Sequence, residues 1–230
     1  MKRSRLAIAS LWPLGLALAV LLSAGGASGQ TPWTKDPANP VLEAGNPGEW
    51  DQGGVLSGAV LFDGAIYHMW YAGIRTQWPD VDIGYATSPD GVTWTKYAGN
   101  PVLWPLGYGW DGYGMTNPAV VFDGTYHMWY TGYGSVVQIG HASSPDGVNW
   151  VRQPADAPVL ERGLSGEWDR GGVDLSQVVL IGDTAHMWYT GWIGALQSMA
   201  IGHATAPLPL PMFFDGFESG DTSAWSATVP

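Results

Sequence analysis

Apolar and aromatic residues recur along this chain in short runs that are separated by pairs of turn-forming residues. In the first such unit, residues 59–62 are apolar, Asp63-Gly64 is a turn signal and residues 67–71 form a second run rich in aromatic side chains. Two short runs joined by an Asp-Gly pair predict a β-hairpin. A third run at residues 83–87 and a fourth that begins at Val92 complete a predicted antiparallel sheet of four strands.

The second run of this unit has no polar face. Tyr67, Met69 and Tyr71 point to one side of the predicted strand, and His68 and Trp70 point to the other. A strand that is largely apolar on both faces is typical of a sheet packed between two other sheets. Four-stranded sheets stacked face to face around an axis are the blades of a β-propeller.

The chain repeats this unit three times. The hexapeptide His-Met-Trp-Tyr-(Ala/Thr)-Gly begins at His68, His127 and His186, at intervals of 59 residues. A Trp-Asp pair precedes each hexapeptide and an Ile-Gly-(Tyr/His)-Ala motif follows it. Because repeats near this length indicate propellers or solenoids, we expect an all-β propeller with three recognisable four-stranded blades. The predicted blades cover about residues 39–98, 99–156 and 157–206.

The N-terminal segment resembles a displaced fourth strand. Trp33-Thr34-Lys35 repeats Trp94-Thr95-Lys96, whereas the third unit has a proline-rich run from Pro207 in the corresponding place. We therefore predict that residues 31–36 close the last blade and protect its edge. Since propellers usually have four to eight blades, the segment closes either a small or open ring of its own chain, or a blade of a partner chain in a homo-oligomer formed by strand exchange.

The two ends of the chain differ in composition from the repeats. Residues 1–29 begin with three basic side chains, continue with an apolar run and end in small residues. This order predicts a secretory signal peptide that is cleaved before Gln30, and hence a periplasmic or extracellular protein that keeps no membrane segment. Residues 30–206 form the predicted repeat domain, and residues 207–230 are a predicted proline-rich linker and tail.

Charge and cysteine content exclude several classes of partner. Removal of residues 1–29 takes away three of nine basic side chains and none of the 20 acidic ones, which leaves a net charge of −14. Nucleic acids and anionic membranes repel such a protein. The chain has no cysteine, so disulfides and thiolate metal sites are excluded. We expect no cofactor, although oxygen ligands leave open a structural cation.

Several motifs together resemble a known group of enzymes. Asn-Pro-Val-Leu at 100–103, Trp-Asp at 110–111, Asn117-Pro118-Ala119-Val120, residues 126–132 and Ser-Pro-Asp-Gly-Val-Asn-Trp at 144–150 resemble the five-bladed propellers of glycoside hydrolase families 43, 32 and 130. The resemblance covers residues 31–206. Together with the predicted signal peptide, it implies a secreted carbohydrate-active protein that cleaves glycosidic bonds in oligo- or polysaccharides. A non-catalytic glycan-binding propeller and an envelope or surface interaction protein are the alternatives.

The resemblance implies catalytic carboxylates from different blades, with an acid before the proline of an innermost strand. In this chain that position holds Asn117, whose amide cannot accept the proton of a general base but can bind a sugar hydroxyl. The remaining candidates for catalysis are Asp174, which has no counterpart in the other units, and the repeated Asp51, Asp111 and Asp169. For the repeated three, a structural role in capping blades competes with catalysis.

Aromatic residues near the innermost strands are candidates for stacking on sugar rings. Such side chains also pack between blades without any ligand, so both interpretations stand. We predict no metal site, because the repeated histidines lie on strands that the repeat holds apart. The aromatic candidates are Trp50, Trp110, Trp168, Trp104 and Tyr113.

Overall fold

The computed structural model describes residues 33–194 and 197–208, and the structural statements below refer to these residues. They form strands, turns and one short 3-10 helix at Gly109–Asp111, so the expected all-β fold is confirmed. None of their helices has the length and apolar character to cross a membrane. The predicted signal peptide, its cleavage before Gln30 and the tail beyond residue 208 lie outside the described residues.

The first sheet is antiparallel and follows the chain order. A tight turn at Asp63 joins its first two strands, where the Asp63 carboxylate accepts the backbone N–H groups of Ala65 and Ile66, each at 2.8 Å. Its strands are β1 at Gly54–Phe62, β2 at Tyr67–Ile74, β3 at Val81–Ser88 and β4 at Thr95–Lys96.

The fourth strand begins at Thr95 and not at Val92 as predicted. The reason is the turn before it, in which the Asp90 carboxylate accepts the backbone N–H groups of Val92 at 2.8 Å and Thr93 at 2.6 Å. These hydrogen bonds hold the two residues in an Asx-type turn, so they are unavailable to the sheet.

The second sheet repeats the first, and the third is shorter. A parallel pairing of Val81 with Gly114 connects the first two sheets. The third sheet has three strands, and the N–H of Leu208, just after its last strand, donates to the carbonyl of Asp183 at 2.9 Å. The strands are β5 at Gly114–Phe122, β6 at Tyr126–Tyr133, β7 at Val137–Ser144, β8 at Val151–Arg152, β9 at Gly172–Ile181, β10 at Thr184–Ile193 and β11 at Gln197–Pro207.

Of the segment predicted to close the last blade, only residues 33–36 are described. Residues 33–36 adopt no strand, and the Trp33 side chain is 95% exposed. The strand predicted for this segment is thus not formed at residues 33–36, and closure of a blade, in its own chain or in a partner chain, stays a prediction.

The three sheets are arranged as successive blades with their first strands innermost. β1 packs against β5 and β5 packs against β9, whereas β1 and β9 share no comparable packing among the described residues. Apolar side chains fill both spaces between blades. The first space contains Trp70, Val81, Ile83, Met115 and Met128, and the second contains Trp129, Ile139, Val173, Leu175 and Met187. The blades thus form an open arc and not a closed ring.

Each innermost strand is interrupted at the same place by a β-bulge. The pairing register shifts between Leu56 and Ala59 in β1 and between Thr116 and Ala119 in β5. In β9 the shift lies just after Leu175. A bulge adds a residue to one strand and redirects the side chains around it. Asn117 lies in the β5 bulge and Asp174 lies close to the β9 bulge, and the two meet between the second and third blades.

Candidate functional site

Asp174 lies in the third blade and is held by two side chains of the second blade. Its Oδ1 atom accepts hydrogen bonds from Asn117 Nδ2 at 2.8 Å and from Thr131 Oγ1 at 2.6 Å. The Thr131 hydroxyl is fully buried and also accepts the backbone N–H of Leu175 at 2.9 Å. The carboxylate is therefore held by a network that spans β5, β6 and β9. Two of the sequence candidates, Asn117 and Asp174, are thus in direct contact.

Asn117 reaches Asp174 because of its backbone conformation. It lies in the β5 bulge with a φ angle of 50°, in the left-handed region that few residues other than glycine adopt. Asparagine is one of the residues that tolerate this region. Its side chain is exposed, so the amide is available to a ligand as well as to Asp174.

Two aromatic residues that sequence reasoning missed are linked to this carboxylate, Tyr133 through the charge of Asp174 and Trp78 through its contact with Tyr133. Tyr133 at the end of β6 accepts a hydrogen bond from Thr116 Oγ1 at 3.4 Å. Burial raises the pKa of the Tyr133 hydroxyl, and the negative charge of Asp174 raises it further. The Trp78 ring lies edge-on to Tyr133 with centroids 5.0 Å apart, and Trp78 is 53% exposed. We call Asp174, Asn117, Thr131, Tyr133 and Trp78 the Asp174 cluster.

Tyr113 lies next to this cluster. Its backbone N–H donates to the carbonyl of Tyr133 at 2.8 Å, and its own side chain is largely exposed. The predicted role of Tyr113 as a sugar-stacking residue is compatible with this position. Trp104 lies elsewhere, in a groove of about 470 Å³ that it lines with Tyr97 and Trp150. No member of the Asp174 cluster lines that groove.

The first blade contains another carboxyl group that has no counterpart in the other blades, and sequence reasoning did not find it. Asp82 in β3 is completely buried, and its Oδ2 atom accepts a hydrogen bond from Arg75 Nη2 at 2.5 Å. Its Oδ1 atom has no hydrogen-bond partner among the described residues. Burial raises the pKa of Asp82 to about 6, against the opposing effect of the Arg75 charge. The loop between Arg75 and Asp82 carries Trp78 and thereby leads to the Asp174 cluster.

A comparison of the repeats would have found Asp82. It pairs with Gly73 of the repeated hexapeptide, and the corresponding partners in the other blades are Gln138 and Ala200. A carboxyl group that replaces a neutral residue in one repeat alone is the same signal that singled out Asp174.

The repeated Trp-Asp pairs have a structural role in each blade. Asp51 is 1% exposed and accepts hydrogen bonds from the Tyr71 hydroxyl at 3.2 Å and from Lys96 Nζ at 2.6 Å. The Trp50 ring packs on Tyr71 with centroids 5.7 Å apart. The pair therefore links the segment before the innermost strand to the outermost strand.

The other blades repeat these contacts. Asp111 accepts from the Tyr130 hydroxyl at 3.4 Å and from Arg152 Nε at 3.3 Å, and Asp169 accepts from the Tyr189 hydroxyl at 3.3 Å. Trp110 and Trp168 stack on the same tyrosines. These contacts favour capping over catalysis for Asp51, Asp111 and Asp169. They likewise favour packing over sugar stacking for Trp50, Trp110 and Trp168.

The histidines of the hexapeptides form contacts within their own blades. His127 Nδ1 lies 3.1 Å from His141 Nε2, and His186 Nδ1 lies 3.2 Å from His203 Nε2. Burial lowers the pKa of His141 to about 4, and the charge of His127 acts in the same direction. His141 is thus neutral near pH 7, as expected for a packed side chain. The described residues contain no group of three or more potential metal ligands.

Comparisons with known proteins agree with the fold. The chain resembles a β-1,2-mannobiose phosphorylase from Listeria innocua with a TM-score of 0.57 and 19% identity over 75% of this chain and 45% of that one. It resembles a family 117 glycoside hydrolase from Zobellia galactanivorans with a TM-score of 0.55 and 18% identity over 72% of this chain and 56% of that one. This chain has the blade fold of the propeller glycosidases. The resemblance inferred from its motifs is confirmed.

The relatives found by sequence include proteins named as phosphorylases. The chain is 28% identical over 125 residues to a 1,2-β-oligomannan phosphorylase from Thermoanaerobacter sp., which covers 50% of this chain and 42% of that protein. It is 32% identical over 130 residues to an uncharacterized Mycobacterium tuberculosis protein, Rv1502, which covers 51% and 42%. The chain spans less than half the length of these curated relatives. No protein-family model matches it.

We predict that Lys96→Met lowers the free energy of unfolding by about 3 kcal/mol, because it leaves the buried Asp51 carboxylate without a countercharge. Urea unfolding measures the loss. The double variant Asp51→Asn/Lys96→Met is the control, and we expect it to be more stable than Lys96→Met alone. Equal losses in both variants would mean that the ion pair is not the cause.

We predict that Asn117→Gly is more stable than Asn117→Ala by about 1 kcal/mol, because alanine pays a steric cost at a positive φ angle that glycine does not. Both variants lose the amide, so their difference in urea unfolding isolates the backbone. Ala119→Gly in the regular part of β5 is the control, where we expect glycine to be the less stable residue. The opposite order at residue 117 would contradict the left-handed conformation.

We predict that Asp82 makes the protein more stable as the pH falls from about 6 to about 4. The folded-state pKa lies above the unfolded value of 3.8, so the native state binds the extra proton in this window. The gain is at most about 1.4 kcal/mol per pH unit. Chemical unfolding at a series of pH values measures it, and Asp82→Asn should remove this part of the dependence. An unchanged profile in the variant would show that another group is responsible.

Proposed function

We propose that this protein is carbohydrate-active and that it binds a glycan at the Asp174 cluster, where the Asp174 carboxyl group serves in cleavage of a glycosidic bond. One observation carries the proposal. The acid that only one repeat contains is held on an innermost strand between two blades, by an amide and a hydroxyl from the neighbouring blade. Its relatives include proteins named as glycoside hydrolases and phosphorylases.

The chemistry of the cluster suits a sugar. A carboxylate, an amide and a phenol supply acceptors and donors for hydroxyl groups, and the exposed Trp78 and Tyr113 rings supply apolar surfaces for the C–H faces of a sugar ring. Both hydrogen bonds to Asp174 from described residues end on Oδ1, so Oδ2 is the oxygen that is available to a substrate. An amide and a tyrosine hydroxyl are also neutral near pH 7, which suits a neutral ligand.

The number of carboxyl groups bears on the type of reaction. Hydrolysis of a glycosidic bond usually requires one carboxyl group to protonate the leaving oxygen and another to activate water or attack the sugar. The Asp174 cluster contains one carboxyl group, because Asn117 stands where the resemblance implies an acid. A single acid is sufficient when the nucleophile is itself an anion, as inorganic phosphate is. This argument favours phosphorolysis, the activity for which two of the relatives are named.

A non-catalytic glycan-binding protein is the second candidate. Asn117 favours it, since its amide already donates to Asp174 and cannot exchange a proton with substrate. In this case the cluster holds a sugar without breaking its bonds. In either case, we propose that the protein acts outside the cytoplasm, on the basis of the signal peptide predicted for residues 1–29.

We predict that Asp174→Asn abolishes glycoside cleavage and leaves glycan binding largely intact, because the amide keeps the size of the side chain and loses its proton exchange. The test incubates the purified protein with aryl glycosides, manno-oligosaccharides and polysaccharides, each with and without inorganic phosphate. Released sugar or sugar phosphate reports turnover, and calorimetry reports binding. Asp156→Asn, in an exposed loop, is the matched control and should behave as the wild type.

The outcomes separate the candidates. Turnover that needs phosphate and disappears in Asp174→Asn supports phosphorolysis, and turnover without phosphate supports hydrolysis. Binding without turnover, weakened in Trp78→Ala, supports a glycan-binding protein. Turnover at the wild-type rate in Asp174→Asn would remove this residue from the reaction. Neither binding nor turnover would favour an interaction protein.

A further inference from the structure

One face of the third blade is exposed where the same face of the other blades is covered. Ile83 and Ile139 in the third strands of the first two blades are fully buried, whereas the corresponding Ile201 in β11 is 73% exposed. Trp70 is fully buried, and Trp188 at the same place in β10 is 38% exposed. The third blade therefore presents an apolar face and a free edge.

In the first blade, the chain segment that leads to the next blade covers this edge. Thr95 and Lys96 pair with Thr87 and Ala86 of β3, and farther along Leu103 pairs with Ile83 through hydrogen bonds of 2.8 and 3.2 Å. The second blade repeats the arrangement with residues 151–152 and Leu160. The segment thus adds a fourth strand and then seals the apolar face.

The N-terminal segment has the sequence that this position requires. Residues 33–42 are identical to residues 94–103 at seven of ten positions, namely Trp-Thr-Lys at the start and Asn-Pro-Val-Leu at the end. If this segment were to dock in the register seen in the first blade, Thr34 would be opposite Thr205, Lys35 opposite Ala204 and Leu42 over Ile201.

Charge complementarity points to the same position. Asp51 pairs with Lys96 and Asp111 pairs with Arg152, each cation coming from the fourth strand of the same blade. Asp169 is 8% exposed, yet no lysine or arginine of residues 37–194 and 197–208 forms an ion pair with it. Lys35 is the cation that the matching segment supplies. A buried carboxylate without a countercharge is costly. A segment that brings Lys35 to the edge of β11 would remove this cost.

The spacing of the chain shows which blade the segment can reach. Leu103 covers the first blade, and its segment then runs on into β5 of the next blade with ten residues between them. Eleven residues separate Leu42 from β1, so Leu42 has the same position relative to the first blade as Leu103 has relative to the second. Leu42 therefore seals a blade that lies directly beside β1. The chain's own third blade does not lie there, since β1 and β9 share no comparable packing.

We propose that residues 33–42 dock on the exposed edge of β11 in a second copy of this chain. Reciprocal docking places the first blade of each copy against the third blade of the other. The exchange is symmetric and closes a ring of six blades, within the four to eight that propellers usually have. It buries Ile201 and Trp188 in the way that Ile83 and Trp70 are buried within one chain.

The absence of cysteine from the chain allows a direct test. Two single variants, Thr34→Cys and Thr205→Cys, are unfolded together, refolded and oxidised. We expect a disulfide-linked dimer on a non-reducing gel for the mixture and not for either variant alone, because the proposed contact joins residue 34 of one copy to residue 205 of the other. The control mixture pairs Thr34→Cys with Ala204→Cys, whose side chain points to the opposite face of the strand, and should remain unlinked.

Three other outcomes would overturn the proposal. Loss of both thiols in the double variant Thr34→Cys/Thr205→Cys at the mass of a single chain would mean that the segment closes its own blade. Equal crosslinking in the control mixture would mean nonspecific association. No crosslinking in any mixture would mean that the segment does not occupy this edge.

Mass measurement by analytical ultracentrifugation tests the charge pair independently. We expect the wild type to be a dimer, Lys35→Glu to raise the dissociation constant at least tenfold, and Lys35→Glu/Asp169→Lys to recover most of the loss. Thr76→Glu adds a negative charge in the exposed loop between β2 and β3 and should remain dimeric. A wild-type protein that is monomeric at all concentrations, or a Lys35→Glu variant that dimerises normally, would contradict the proposal.

Discussion

The first two blades of this protein each depend on a buried carboxylate that ties the segment before the innermost strand to the outermost strand. In the first blade, Asp51 precedes the innermost strand and holds Lys96 of the outermost strand and the Tyr71 hydroxyl in the middle. The charge lies out of water, so it is tolerable only while both partners are in place. Trp50 covers the pair by packing on Tyr71. These contacts favour a role of the recurring residues in the stability of the blades over a role in catalysis.

Stable blades in turn position the Asp174 cluster. The network around Asp174 joins the innermost strands of two blades, and its donors come from residues 43 and 57 positions away in the sequence. Its geometry therefore depends on how two blades pack, which the apolar side chains between them determine. The β5 bulge supplies the last element, because it turns the Asn117 amide toward the neighbouring blade. The cluster combines one carboxyl group with amide, hydroxyl and aromatic groups, a set that suits sugar recognition.

The way successive blades cover one another explains why the open end of the third blade leaves apolar residues exposed. Every blade covers one face of the blade before it, and the segment between them adds a strand and an aliphatic seal. The third blade has this face and a buried carboxylate, but no following blade among the described residues. The N-terminal segment has the matching strand, cation and seal. A second copy that provides these groups restores to the third blade the contacts that stabilise the first two.

The sequence by itself determined the repeating part of this protein. Alternation of apolar residues, Asp-Gly turns and the hexapeptide predicted the strands to within a few residues, because strand formation and turns depend on nearby residues. Asp174 stood out because one repeat alone contains it. The tertiary structure decided which residues meet: it placed Asn117 on Asp174, added Thr131, Tyr133 and Trp78, buried Asp82 and assigned the Trp-Asp pairs to the scaffold. These contacts join residues far apart in the chain, and the local pattern of a strand contains no information about the blade that packs against it.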